Sequence, residues 1–256
     1  TQNNVFEEYL IEKEIEQNSK LLVGEEIKKE INTELFSHAL LSYDHGISVT
    51  PLKFTQNLSK VIEKKGVLVY EHTTFLNMKN NIASTQNSNI KFKKIIFAID
   101  SEHPSKKVKN LRSTIIVTTP LTKKQLIKTR LLNKKIVWDS KENYEYLKVT
   151  KDNRLLVGFG GIIVHKKHKK TDAHFPHLRQ LKKFLKKLFP YLNLNIEYTW
   201  SGSFGVTDNK VPIIEQKNNV ISIAGAGSQV ACVMAAKHIA NKLFNKRSIL
   251  DYFFKT

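Results

Sequence analysis

The chain has 256 residues, 41% of them hydrophobic, enough to bury a sizeable core in one large domain or two intertwined small ones. It carries a formal net charge of +19 and a single cysteine, Cys232. That excludes an intramolecular disulfide and fits a reducing cytosol, and no apolar run approaches the ~20 residues that span a bilayer.

The charge invites a nucleic-acid reading, which would need Lys and Arg on one face with aromatics for stacking. Lysine here is far commoner than arginine and is spread along the whole chain. The lysines therefore read as solvated faces, and no specific nucleic-acid partner is expected. Thr1-Gln2-Asn3-Asn4 forms neither a basic n-region nor an apolar h-region, so a cytoplasmic location is expected. Thr1 in place of an initiator Met reads as a fragment or a processed product.

From the N-terminus, residues 1–19 read as a helix with Val5, Phe6, Tyr9, Leu10 and Ile15 on one side. A short apolar segment, Leu21-Leu22-Val23, leads to a second short helix ending near Ile31. Asp44-His45-Gly46 is a turn, and Thr50-Pro51 starts a helix as N-cap and first helical residue. Leu52, Thr55, Leu58, Val61 and Ile62 keep its apolar period to the turn at Lys65-Gly66. The run 67–70 (Val-Leu-Val-Tyr) reads as a buried strand closing half of a βαβ crossover. After a polar hairpin-like stretch at 80–89, the run 94–99 is another apolar strand of the kind parallel sheets bury on both faces.

The character changes near Ser101. Short strands around 115–117, 135–138, 144–147 and 155–157, with a turn at Lys151-Asp152-Asn153, predict an antiparallel sheet. Residues 174–188 form an amphipathic helix, with Leu178, Leu181, Leu185 and Leu188 opposite Lys182, Lys183, Lys186 and Lys187, ended by Pro190. The stretch 195–229 organises the rest. It begins as a strand (Ile196, Tyr198, Trp200), passes a small-residue turn at Ser201-Gly202-Ser203 and a polar corner at Thr207-Asp208-Asn209, and reaches a strand at 220–224. Gly225-Ala226-Gly227-Ser228 then opens a final helix carrying Val230, Val233, Met234, Ala236, Ile239 and Leu243. A strand, a glycine turn and a helix bring backbone N–H groups and the positive end of a helix dipole against an electron-rich ligand.

Other chemistry reads as weaker. His165, His168, His174 and His177 lie among lysines that oppose a cation, with no cysteine or regular acidic partner, so no metal site is expected. Ser203 and Ser228 lack the flanking glycines of a nucleophile elbow. Cys232, near a helix N-terminus that could lower its pKa, reads more simply as a buried small packing residue. No Walker-type loop or G-x-G-x-x-G is present, and Gly225-Ala226-Gly227 is a partial echo at the wrong end of the chain.

In order and spacing, these segments resemble the FAD-dependent oxidoreductases of the D-amino-acid oxidase / glycine oxidase superfamily, in the branch with γ-glutamylputrescine oxidase-like proteins. Asp44-His45-Gly46 with Thr50-Pro51-Leu52 looks like the family's His-Gly turn before a Pro-started helix. Trp200-x-Gly202-x-Phe204-Gly205-x-Thr207-x-x-x-x-Pro212 resembles the late motif leading to the flavin, and 224–230 stands where the family has a Gly-rich loop. Pro120-Leu121-Thr122, Val137-Trp138-Asp139 and Asp152-Asn153-Arg154 resemble the strands of the substrate domain.

The resemblance implies an α/β fold of mixed character: an incomplete FAD-binding Rossmann-like domain intertwined with an antiparallel-sheet substrate domain. The implied division is a helical N-terminal segment (1–44), a partial FAD-binding domain (45–100), the substrate domain (101–195) and a return to the FAD-binding domain (196–256). It implies FAD as cofactor, with Phe75, Ala98, Gly202, Gly225, Gly227, Ser228 and Gln229 beside it. The amides of Gly227, Ser228 and Gln229 would face the N1–C2=O edge of the flavin. Tyr144, Tyr146 and Trp200 become the candidate substrate cage for an amine or amino acid oxidised at C–N. No catalytic acid or base is named. The family's N-terminal βαβ unit, which takes ~30 residues or more, has no counterpart before Tyr43. FAD binding by this chain alone is therefore doubtful, and a separate N-terminal FAD-binding segment is the expected partner. Ser228 and Val230 replace glycines of the loop, and Asp100 adds a negative charge near the cofactor path. The alternative is a degenerate, non-catalytic remnant serving as a binding or assembly module.

Overall fold

A computed structural model describes residues 2–15, 17–43, 48–141, 143–164 and 175–254. In chain order the first elements are α1 (Gln2–Glu14), β1 (Ser19–Val23), α2 (Glu25–Glu30), β2 (His38–Ser42) and α3 (Pro51–Lys64). Then come β3 (Phe75–Lys79), β4 (Ile82–Thr85), β5 (Asn89–Lys91), β6 (Ile95–Ala98) and β7 (Lys109–Thr118). Next are α4 (Lys123–Thr129), β8 (Ile136–Trp138), β9 (Glu145–Val149), β10 (Leu155–Phe159), β11 (Ile162–Ile163) and α5 (Phe175–Leu188). The chain closes with β12 (Ile196–Val206), β13 (Ile213–Lys217), β14 (Val220–Ala224), α6 (Gln229–Leu243) and α7 (Leu250–Phe253). The fold is mixed α/β with antiparallel sheets, and two compact units share the chain: Thr1–Ile47 with Leu111–Ser203, and Ser48–Asn110 with Phe204–Thr256. Among the described residues no helix is long and apolar enough to cross a membrane.

The first unit is built on the antiparallel sheet expected from the short strands. β10 pairs with β7 and β9, β9 with β8, and both β11 and β12 pair with β7. Strand alternation puts Leu147 and Val149 of β9, and Leu155 and Val157 of β10, on one face. There they meet Leu181, Phe184, Leu185 and Leu188 of α5, all buried in one cluster. The leucine stripe read from the sequence is therefore the seam of this core, and Lys182, Lys183, Lys186 and Lys187 face water. Ile27 of α2 and Leu126 of α4 extend the same cluster. α4 is held at its start by a capping box in which Thr122 and Gln125 bond each other's backbone N–H.

The second unit is less filled. β14 pairs antiparallel with β13 and parallel with β6, in the order β13-β14-β6. Ile214, Ile221, Ala235, Ile239, Leu250 and Phe254 make its small core. β3, β4 and β5 form a separate antiparallel meander, matching the polar hairpin expected there.

Three expectations need correction. The run 67–70 is not a strand: it has no ladder partner among the described residues, and Leu68 is 76% exposed. A continuous apolar run signals a buried strand only where neighbouring strands receive it. Ser201-Gly202-Ser203 is not a turn either. β12 runs unbroken to Val206, because Ser201 points into the first unit and bonds buried Arg112. Third, Cys232 is exposed, not buried. Asp44-His45-Gly46, His165, His168 and His174 lie outside the described residues.

Candidate functional site

In the second unit β6 and β14 run parallel, with Ala98 opposite Ile223, so both strands deliver their C-terminal ends to one side. That is where open α/β sheets place ligands. From β14 the chain turns through Gly225 (φ +69°) and Gly227 (φ +62°) into α6. Both torsions lie in the left-handed region that side chains disfavour. The space is closed as well: a Cβ on Gly225 would meet the Thr207 methyl at 2.9 Å, and one on Gly227 would meet Val206 at 3.2 Å. Ala226 forms a β-bridge with Val206. The turn is thus clamped onto residues 206–207, and the polar corner holds that clamp in turn. The Thr207 hydroxyl donates to the Val211 carbonyl (2.8 Å), while Asn209 Oδ1 accepts from the Val211 N–H (3.1 Å).

Ser228 is the N-cap of α6: its Oγ accepts from the Ala231 N–H at 3.2 Å. The Ser228 N–H is turned back onto the Ala226 carbonyl at 2.6 Å, so it is already engaged. The N–H groups of Gln229 and Val230 have no partner among the described residues, and both residues are exposed. A 15-residue helix with free first-turn donors is suited to an anionic or electron-rich edge.

Asp100 has a defined structural place. It follows β6 with φ +46°, and its Oδ2 accepts the Gly205 N–H at 2.7 Å. A Cβ on Gly205 would stand 3.1 Å from Asp100 Oδ1 and 2.9 Å from Val108, so only glycine allows this approach. Although the residue is exposed, partial desolvation of its thiol, and then the Asp100 carboxylate, push the Cys232 thiol above its ordinary pKa. The lowering that the helix N-terminus suggested is overturned, and the thiol is a poor nucleophile at neutral pH. Phe75 opens β3, with its ring edge-on to Phe97 at 5.1 Å.

The other predicted residues lie in the first unit. Tyr144 and Tyr146 sit two apart, and their ring centroids are 6.1 Å from each other. Each lies over a glycine: a Cβ on Gly158 would collide with the Tyr146 ring, and one on Gly160 would fall 3.3 Å from Tyr144. Trp138 pairs with Tyr146 across β8 and β9 and so shares its face. Trp200 joins that face by alternation, since Ser201 turns the other way to Arg112. The sheet therefore carries its core on one side and, on the other, a row of aromatics of which Trp138, Tyr144 and Trp200 are 57%, 42% and 42% exposed. Gly202 has nothing within 4 Å of a Cβ, so no contact demands glycine there.

Beneath Tyr144 and Tyr146, the Asp139 and Glu145 carboxyls are buried together. Lys141 lies 2.6 Å from Asp139 and 2.9 Å from Glu145, and Gln180 donates to Glu145 at 2.8 Å. Burial raises the Asp139 pKa, as does the hydrogen bond it makes to Glu145. Burial acts on Glu145 too, but the bonds from Asp139, Gln180 and Lys141 outweigh it and hold that carboxyl below its ordinary value. This cluster and buried Arg112 escaped the sequence reading, because their partners are brought together only by the sheet and α5. The one available signal for them was charge on the core face of a strand.

Comparison with known proteins adds three findings. Residues 5–242 match the family profile described as FAD dependent oxidoreductase, DAO. The chain is 25% identical over 247 residues to the gamma-glutamylputrescine oxidoreductase of Escherichia coli strain K12, covering 91% of this chain but 56% of that protein. The chain thus spans a little over half the length of this curated relative. Among solved structures it is similar to glycine oxidase from Geobacillus kaustophilus, with TM-score 0.82, 14% identity, and coverage of 100% of this chain and 71% of that one. It is also similar to L-proline dehydrogenase from P. horikoshii, with TM-score 0.71, 19% identity, and coverage of 92% and 67%.

Proposed function

Because this chain belongs to the FAD dependent oxidoreductase (DAO) family, we propose that it is the flavin-ring and substrate portion of an enzyme oxidising the C–N bond of an amine or amino acid. The observation that carries this is the clamped glycine turn, with Gly225 and Gly227 at positive φ against Val206 and Thr207, delivering the free N–H groups of Gln229 and Val230 at the start of α6. That cradle fits the electron-rich edge of a flavin. Gly225 and Gly227 would permit close approach, Ser228 would fix the first turn of the helix, and Ala98 and Phe75 would line the strand ends. FAD when bound supplies the hydride acceptance; the protein supplies orientation and electrostatics. The helix N-terminus and its free amides favour negative charge at that edge. On the other unit, Tyr144, Tyr146 and Trp200 would cage the substrate and exclude water from it. The proposed division is a cofactor domain at 45–100 and 196–256 with a substrate domain at 101–195, in a cytosolic protein.

The curated relative is longer, and two features of the second unit support a further segment. Among the described residues β6 has no strand on its outer side, and α3 buries none of its side chains fully. A βαβ segment preceding this chain or encoded separately would complete the sheet and the dinucleotide cradle. The same uncovered surface favours the second reading, an assembly module without catalysis, and flavin binding separates the two. The chain alone is expected to bind added FAD weakly. A stoichiometric yellow flavin band from the chain alone would overturn the need for a second segment. Failure to hold FAD when co-expressed with a βαβ dinucleotide segment from the family would overturn the enzyme reading. In the completed protein Gly225→Ala should release the flavin, whereas Gly202→Ala should retain it.

A further inference from the structure

In the second unit, one face of the β13-β14-β6 sheet carries α6. Strand alternation puts Ile214 of β13 and Ile221 of β14 on that face, and Ile239 of α6 joins them in the small core. Toward the C-terminal end of α6 a cleft of about 470 Å³ remains, with these three residues and Leu243 as its apolar floor. Small-molecule sites occupy about 300–1,000 Å³.

The rim of the cleft carries charge of one sign. Lys94, just before β6, and Lys242, in the last turn of α6, both line it, and both are exposed. No carboxylate pairs with either ammonium among the described residues. Glu215 lines the cleft as well, but alternation turns its carboxylate to the other face of the sheet, where Oε2 lies 4.0 Å from His103 Nε2. The end of α6 does not cancel the lysines either. The carbonyls of Ala240, Asn241 and Lys242 are taken up by the N–H groups of Phe244, Asn245 and Lys246. The amides of Gln216 and Asn245 complete the rim.

We propose that this cleft binds an aliphatic carboxylate, with its chain on the floor and its carboxylate at Lys94 and Lys242. Each buried methylene contributes about 0.8 kcal/mol, and an ammonium–carboxylate hydrogen bond is stronger than a neutral one. An amine would meet two like charges, an alcohol would leave both lysines without an anion, and a small anion would leave the floor unfilled. The cleft stands at the opposite end of α6 from the glycine turn, roughly 20 Å along a 15-residue helix. The proposal is therefore independent of the flavin reading.

Calorimetric titration of the full chain at neutral pH with octanoate, octanol, octylamine and acetate tests it. Octanoate should bind at least about tenfold more tightly than the other three. Lys242→Gln should weaken octanoate about tenfold, and Lys242→Arg should restore it. Lys182→Gln, which removes the same charge from α5, should leave octanoate binding unchanged. No binding of octanoate, equal binding of octanoate and octanol, or no loss in Lys242→Gln overturns the proposal. An equal loss in Lys182→Gln overturns it too, because the attraction would then belong to the net charge and not to the cleft.

Discussion

The two units treat their apolar residues in opposite ways. In the first, Ile116, Leu131, Leu147, Leu155, Leu181 and Leu188 are sealed between a sheet and α5. In the second, α3 leaves Leu52, Leu58 and Val61 between 49% and 66% exposed, and α6 leaves Val230 and Val233 at 70% and 60%. Both units use the same amphipathic patterns, so pattern alone does not say whether a face is covered. The first unit has the composition and packing of a finished core. The second leaves apolar faces exposed among the described residues.

Core substitutions give the largest contrast. Leu155→Ala removes a fully buried side chain between β9 and α5, and should cost about 2–5 kcal/mol in urea unfolding. Leu58→Ala on α3 should change stability by less than about 0.5 kcal/mol. A comparable cost at Leu58 would mean that α3 is packed after all. The two glycines of the first unit give an intermediate contrast. Gly158→Ala forces a methyl group into the Tyr146 ring and should cost about 1–3 kcal/mol, with a changed near-UV circular dichroism spectrum. Gly202→Ala meets nothing and should leave the aromatic signal as it is. The smallest effect is pH dependence in the second unit. Burial of His238, and then Lys242, lower its pKa against the opposing pull of Asp251. The unfolded chain therefore binds the proton first, and the second unit should lose stability as pH falls below about 6.5, the ordinary imidazole value. His238→Phe, which keeps a ring against Phe254, should flatten that slope; an unchanged slope assigns it to other groups.

Much of this was legible in the sequence because it is local. Strand alternation found the antiparallel sheet, the leucine spacing of α5 found its buried seam, and Gly225 and Gly227 marked a turn that does require positive φ. The misreadings came where the deciding partner is distant in sequence. The run 67–70 has strand composition but no neighbour to pair with. Ser201-Gly202-Ser203 has turn composition but stands inside β12, because Arg112 reaches Ser201 from 89 residues away. Of the candidate site, the glycine turn and the tyrosines were visible as residues. Their directional chemistry, such as the engaged N–H of Ser228, exists only in the folded geometry.

The outer side of β6 has a practical side as well. Ile95 to Ala98 present backbone donors and acceptors with no strand beside them among the described residues, and Ile96 is 43% exposed. An unpaired strand of this composition is a template for self-association. Lys93 and Lys94 stand immediately before it and Asp100 soon after, so charge flanks the strand at both ends as a gatekeeper. Neutralising those lysines should turn a dispersed preparation into one that precipitates, long before any change in the fold itself.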